Sequence, residues 1–335
     1  MDGGQRGSQG SSYLEHYLSG FADFLTDPAT VEVAVNPDGK IWVLKRGDVH
    51  MQPSGRWIKA GEARRLTEQI AGKNQTQVGR DKLLVSATIE YQGRPIRAQC
   101  VLAPATAGDD GAVSFRLFAS LPLEKISLKY LHGKPLSLSE RRRDRNRKLK
   151  AIIEGGSLED ALRFCVLEKL NIVISGGTDT GKSVALRKII SMIPAEERLV
   201  TIEDAQELFP EQPNTVSLIA DRFGESRTAD QLLEATLRMR PDRIIVGEVR
   251  GKEAMTFLEA INTGHGGSMT TLHAETPELA LDRLAMAAGR SNVPMTYADI
   301  RAYILRSIDV IVQAGRLGDQ RGVAEIFVPG LESEE

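Results

Sequence analysis

The chain has 335 residues, 43 Lys and Arg against 45 Asp and Glu, and a formal net charge of −2. That length suits about two domains, and 41% hydrophobic with 26% charged residues is ordinary globular composition, which excludes wholesale disorder. No apolar run reaches the ~18–20 residues of a membrane-spanning helix. The first dozen residues lack the pattern of a secretory leader, and Cys100 and Cys165 have no metal-like spacing, so a reducing, cytoplasmic setting is expected.

Residues 1–12 are rich in Gly, Ser and Gln and are expected to be disordered. From Tyr13 to Leu25, the residues Leu14, Tyr17, Leu18, Phe21, Phe24 and Leu25 fall at helical spacing, ended by Asp27–Pro28. Runs at 31–35 and 40–47 flank the turn Asn36-Pro37-Asp38-Gly39 and predict a β-hairpin. A short helix near 60–72 and strands near 82–90, 95–102 and 112–118 complete an α+β domain, set at 13–120. Residues 121–150 end in the run from Arg141 to Lys148 and read as a basic linker. Its plain reading is a solvated face. Clustered basic charge also attracts phosphates, so direct nucleic-acid or anionic-membrane contact is a second reading, though no neighbouring aromatic supports base stacking. Over 151–330, strands alternate with helices, which predicts an α/β fold with a largely parallel sheet.

Charge follows this division. Residues 1–138 carry 17 basic and 14 acidic side chains, 139–150 carry 7 and 2, and 151–335 carry 19 and 29. A near-neutral average hides a basic front and an acidic back, as separate domains or an interaction surface would produce.

The strongest local signal is Gly176-Gly177-Thr178-Asp179-Thr180-Gly181-Lys182-Ser183, which fits G-x-x-x-x-G-K-[ST] between a short apolar strand and a helix. Glycines let backbone N–H groups curl around phosphate oxygens, and the helix N-terminus faces them with its positive dipole end. Lys182 is expected to reach the β- and γ-phosphates and the Ser183 hydroxyl to bind Mg²⁺. The expected ligands are ATP and Mg²⁺, held by this loop together with Val184.

Arg240-Pro241-Asp242 introduces an apolar strand that ends in Gly247-Glu248. A carboxylate delivered at a strand's carboxyl end is placed to orient, or take a proton from, the water that attacks a γ-phosphate. Glu203, Asp204 and Glu207 follow another strand and suit Mg²⁺ and its waters, or cap their own loop. His265 precedes a strand that ends Thr270-Thr271-Leu272-His273; both histidines are expected beside strand termini on the nucleotide side, where an imidazole N–H is suited to sensing a γ-phosphate. A zinc pair is disfavoured for want of a third ligand.

The segments GGTDTGKS, TIEDAQEL, RPDRIIVGEVRG and TGHGGSMTTLHA, in this order and spacing, resemble the Walker A, Asp, Walker B and His boxes of the secretion-superfamily traffic ATPases. The likeness is to the VirB-eleven type, the hexameric ATPases of type IV secretion and conjugation. It is strong over 155–315 and weaker over VEVAVNPDGKIWV and GRPIRAQCVLAP. The resemblance implies a RecA-like P-loop NTPase domain behind a smaller α+β domain, working as a homohexamer. It further implies a cytoplasmic protein bound peripherally to the inner membrane, partnered by secretion-channel components and other secretion ATPases. It gives Lys182 and Ser183 to phosphate and Mg²⁺, Glu248 to water activation, Glu203 and Glu207 to the Asp box, and His273 to the γ-phosphate. It also makes Arg97 and Arg116 candidates for transition-state charge stabilisation and Arg240 a further sensor. Asp179 stands where the family usually has glycine. Its carboxylate beside a triphosphate predicts weaker ATP binding or turnover than in Asp179→Gly. The other readings are a pilus retraction or type II secretion ATPase, a nucleotide-dependent nucleic-acid-binding protein, and a binding-only regulator.

Overall fold

Alternating apolar residues in the first third build a sheet that the computed structural model describes strand by strand. The described residues are 9–118, 124 and 127–334. Of the stretch expected to be disordered, 1–8 lie outside these, and Gln9–Ser12 begin a helix.

The chain forms two compact units. One comprises residues 1–119 with 194–207 and 211–242; the other comprises 120–193, 208–210 and 243–335. In the first unit, α1 (Gln9–Ser19) and α2 (Ala22–Thr26) replace the single helix expected over 13–25. The break falls at Gly20, where Ser19 Oγ donates to His16 O (2.6 Å) and draws a main-chain acceptor out of the helical ladder. Next come β1 (Thr30–Val35), β2 (Lys40–Lys45), β3 (Gln52–Trp57), α3 (Glu62–Lys73), β4 (Leu84–Tyr91), β5 (Arg94–Val101) and β6 (Ala112–Leu117). The six strands make an antiparallel sheet in the order β3-β2-β1-β6-β5-β4. Leu18, Phe21, Leu25, Val33, Val35, Leu66, Ile70, Ile96 and Phe115 are core residues on one face, where Phe21 meets Phe115 edge-on at 5.7 Å. Ala34, Trp42, Leu44 and Met51 cluster separately. Strand β3 gives no alternation to read: it is mostly exposed, carries Pro53 and Gly55, and lies at the sheet edge, where both are tolerated.

The same unit holds β8 (Leu199–Glu203) and β9 (Thr215–Ile219), paired in parallel, and α7 (Ala229–Thr236). This differs from the expected 13–120 domain. The reason is main-chain pairing over a long sequence separation: Ala107 N donates to Ser217 O (2.8 Å), and Ile219 N to Ala105 O (2.9 Å).

The second unit begins with α4 (Leu138–Glu154), capped by the Ser137 hydroxyl. Much of the expected linker is therefore a regular helix; its residues 121–123, 125 and 126 lie outside the described set. Asp309 fixes that helix, accepting from Arg145 Nη2 at 2.6 Å and pairing with Arg142 Nη2 at 3.1 Å. Then follow α5 (Leu158–Leu167), β7 (Ile172–Ser175), α6 (Lys182–Ile190), β10 (Arg243–Val246), α8 (Glu253–Asn262), β11 (Met269–Leu272), α9 (Pro277–Ala288), α10 (Tyr297–Ser307), β12 (Val310–Leu317) and β13 (Gln320–Phe327). Strand β7 lies between β11 and β12, parallel to both; β10 is parallel to β11, and β13 returns antiparallel along β12. All four residues of β7, β10 and β11 are buried, the polar Arg243, Thr270 and Thr271 included, as strands covered on both faces of a parallel sheet require. Among the described residues no helix is long and apolar enough to cross a membrane. Cys100 and Cys165 are buried and free, and burial pushes both thiols up to about 12.

Candidate active site

Strand β7 ends at Ser175, and the next six residues carry the backbone into α6. A Cβ on Gly176 would lie 2.5 Å from Thr180 Oγ1 and 2.7 Å from Ala314 O, so only glycine fits. Gly181 takes φ 86 and Asp179 φ 60, left-handed conformations that fold the loop back on itself. Thr180 Oγ1 donates to Gly177 O at 2.9 Å. At the head of α6, Lys182 is buried while Ser183 and Val184 are exposed. Lys182 Nζ donates to Gly176 O (3.0 Å) and Gly177 O (2.7 Å), so the ammonium closes the loop from inside.

The carboxyl ends of β11 and β10 bring two more groups to Lys182. His273 Nδ1 lies 3.3 Å from Lys182 Nζ, and His273 Nε2 lies 3.4 Å from Glu248 Oε1. Lysine has only donors, so Nδ1 is the acceptor of a neutral imidazole and Nε2–H points at the carboxylate. Burial, then the nearby Lys182 charge, holds His273 below the usual histidine range, which agrees with a neutral ring. Burial likewise lowers Lys182, against the opposing pull of Glu248. Glu248 is also ion-paired to Arg250. Beside the pair lies a cavity of about 370 Å³ lined by Glu248, His273, Arg250, Arg283 and Arg290 among others. Arg283 donates to His273 O, and Arg290 Nη1 to Arg250 O at 3.1 Å.

The structure thus gathers Lys182, His273 and Glu248 as the sequence suggests, but it separates the two histidines. Strand β11 runs parallel to β7, with Met269 opposite Ile172 and Leu272 opposite Ser175. His273 follows β11 at the P-loop end; His265 precedes it, at the opposite end. There His265 Nδ1 lies 3.1 Å from Ala260 O, the last turn of α8, as a loop anchor. The expectation that both histidines lie on the site side is corrected by strand direction.

The remaining candidates belong to the first unit. Glu203 ends β8 buried, its Oε1 accepting from Glu207 N (2.9 Å) and its Oε2 from Thr201 Oγ1 (3.3 Å), so its carboxylate shapes its own loop; Glu207 is exposed. Arg97 on β5 and Arg116 on β6 are exposed register partners. Arg240, at φ 56, reaches Asp242 Oδ1 at 3.3 Å.

Asp179 is engaged. Arg321 Nη2 contacts both its carboxylate oxygens at 2.7 and 2.6 Å, Arg316 Nη1 reaches Oδ2 at 3.2 Å, and Arg321 Nε donates to Asp179 O at 2.9 Å. The carboxylate expected to repel a triphosphate is thus ion-paired to two arginines. Sequence reading missed Arg316, Arg321, Arg283 and Arg290, which carry no local pattern; Arg250, two residues past Glu248, was the one within reach.

The loop suits ATP and Mg²⁺ on this chain's own features: a glycine cradle that a Cβ would fill, a buried ammonium at its mouth, and a hydroxyl at the helix start as a hard oxygen ligand. Among the described residues no cluster of three or more His, Cys, Asp or Glu forms a metal site on its own.

A parallel sheet with this loop at a strand's carboxyl end, in a chain carrying a separate α+β sheet, defines a two-part protein of the RecA-like P-loop class. The chain belongs to the family described as "Type II/IV secretion system protein", whose sequence model matches residues 112–320. It is 30% identical to the VirB11 protein of Rhizobium radiobacter, over 94% of this chain and 93% of that one. It is also 30% identical to the conjugal transfer protein TrbB of the same organism, over 90% and 84%. The crystal structure of the VirB11 ATPase of the Brucella suis type IV secretion system, in complex with sulphate, superposes with a TM-score of 0.83 at 27% identity, over 95% of each chain.

Proposed function

We propose that this chain is the ATP-hydrolysing motor of a type IV secretion system, moving protein or protein–DNA substrates or assembling a pilus. The likeness to VirB11 and TrbB proteins over nearly the whole chain favours this reading over a retraction or type II motor. The observation that carries the chemistry is the file Lys182–His273–Glu248. Lys182 binds the β- and γ-phosphates. Glu248 orients the attacking water and accepts its proton, so that the phosphoryl group passes in line from ADP to water. His273 joins the two, registering at the carboxylate whether the lysine is engaged by phosphate. Gly176 to Val184 form the nucleotide cradle, and His265 holds the loop into β11. Ser183, with Glu203 and Glu248 acting through water, would hold Mg²⁺, which supplies charge neutralisation on the phosphates. Arg97 and Arg116, with Arg240 in a lesser role, stabilise charge on the transferred group, while Glu207 joins Glu203 beside Mg²⁺ and its waters. The working form is a homohexamer at the cytoplasmic face of the inner membrane, docked on channel components and other secretion ATPases.

The test is ATP hydrolysis by the purified chain. Glu248→Gln is expected to keep nucleotide binding and to lose turnover by roughly 100-fold or more. A wild-type protein that binds ATP without hydrolysing it would instead support a binding-only regulator.

A further inference from the structure

The β12–β13 hairpin places Arg316 and Arg321 directly opposite each other in its ladder. Like charges in register repel. Here the Asp179 carboxylate takes up both guanidiniums, its two oxygens sharing Nη2 of Arg321 and one of them also meeting Nη1 of Arg316. Arg321 also binds the Asp179 carbonyl, and its aliphatic stem lies where a Cβ on Gly181 would touch it, 3.6 Å from Cδ and 3.7 Å from Cβ. One side chain of the hairpin therefore holds Asp179 by backbone and carboxylate and passes beside Gly181, the two residues of the loop that adopt left-handed backbone.

We propose that Arg321, with Arg316 in support, is a positioning residue for the nucleotide site: acting through Asp179, it fixes the P-loop and offsets the one carboxylate that the loop carries. This rests on the nucleotide-binding reading above. An isolated exposed ion pair contributes little, but here one guanidinium holds the carboxylate through Nη2 and the backbone carbonyl through Nε, and a second arginine joins it, so several charge-assisted bonds act together. The arginine bond and charge hold the Asp179 carboxyl below its usual range, so the carboxylate stays charged at neutral pH and repels a triphosphate whenever the arginines are removed.

The dependence on Asp179 distinguishes positioning from direct contact with the nucleotide. Affinity of the full chain for a fluorescent ATP analogue, and steady-state hydrolysis, are compared for wild type, Arg321→Gln, Arg321→Lys, Asp179→Gly and the Asp179→Gly/Arg321→Gln double variant, with thermal unfolding as the check on folding. Arg321→Gln is expected to weaken binding and raise KM about two- to fivefold while leaving kcat within about twofold. Arg321→Lys, which keeps the charge but not the two nitrogens that hold carboxylate and carbonyl together, recovers part of that loss. In the Asp179→Gly background the Arg321→Gln loss disappears. A loss that persists there means that Arg321 touches the nucleotide itself and overturns the proposal, as does an Arg321→Gln protein that binds like wild type. Arg316→Gln, expected to give a smaller loss of the same pattern, carries the test if Arg321→Gln unfolds. Absence of nucleotide binding by the wild type would instead overturn the functional reading beneath it.

Discussion

Glu32 of β1 stands directly across from Arg116 of β6, and its side chain is buried while that of Arg116 is exposed. Arg97 of β5 continues the same row beyond Arg116, so a buried carboxyl and two candidate phosphate-facing arginines share one line across the sheet. Burial pushes the Glu32 carboxyl up to about 7 from its ordinary 4.5, against the opposing pull of Arg240, Arg116 and Arg198. A carboxyl raised on folding binds protons more tightly in the folded state. Its contribution to stability is full below about pH 4.5 and is lost as the pH rises toward 7. Glu32→Gln is therefore expected to gain stability relative to wild type between pH 5 and 8, by at most about 3 kcal/mol. Urea unfolding across that range measures it, and a pH-independent difference between the two proteins would count against it.

Arg198 is fully buried, and burial brings it down to about 10, so it remains charged at neutral pH. Its Nε donates to Met239 O (3.0 Å), its Nη1 to Asn36 Oδ1 (2.7 Å) and to Asn214 Oδ1, and its main-chain N to Asp242 Oδ2 (2.8 Å). Removing one member of such a network strands the others without partners. Arg198→Ala is expected to cost about 3–5 kcal/mol in chemical denaturation; a loss under about 1 kcal/mol would show the network to be dispensable.

His273 is neutral at pH 7 because its ring is held below the ordinary histidine range. Acidification must therefore go below about pH 6.5 before the ring charges, breaks its acceptance from Lys182 and faces a like charge. The acid limb of ATP turnover is expected below that pH. His273→Ala should lower kcat at pH 7.5 by roughly 100-fold and abolish that limb. A variant that keeps both the limb and the rate removes His273 from the mechanism.

Asp309 joins the basic helix to the sheet: Arg145, Arg142 and the main-chain N of Asn171 all converge on its carboxylate. Asp309→Ala leaves these donors to compete for water and is expected to cost about 3 kcal/mol. Amide hydrogen exchange should locate the loss in α4, where exchange should accelerate over 138–154. Unchanged protection there would show that α4 is held by its apolar contacts, Leu149 among them.

Much of this molecule was legible in local pattern. The parallel strands announce themselves as short runs rich in Ile, Val and Leu alternating with helices, and the P-loop as glycines and a lysine whose spacing is set by the backbone path around a phosphate. Glu248 and His273 follow their strands directly, so the sequence fixes their place at the strand ends. The misses are of another kind. Ser19 and Gly20 interrupt a good helical period, and β3 has no buried face from which a period of two could arise. The stretch read as linker became helix α4 because its arginines find a carboxylate 164 positions away.

By itself, then, the sequence determined most of the elements, the nucleotide loop and the residues at its strand ends, because each depends on neighbours within a few positions. Only the tertiary structure decided what their charges do. It showed that His265 and His273 lie at opposite ends of one strand. It showed which acids and bases meet over long sequence separations, Asp179 with Arg321 and Asp309 with Arg145. Charge acts through space and burial, and a near-zero sum along the chain carries neither.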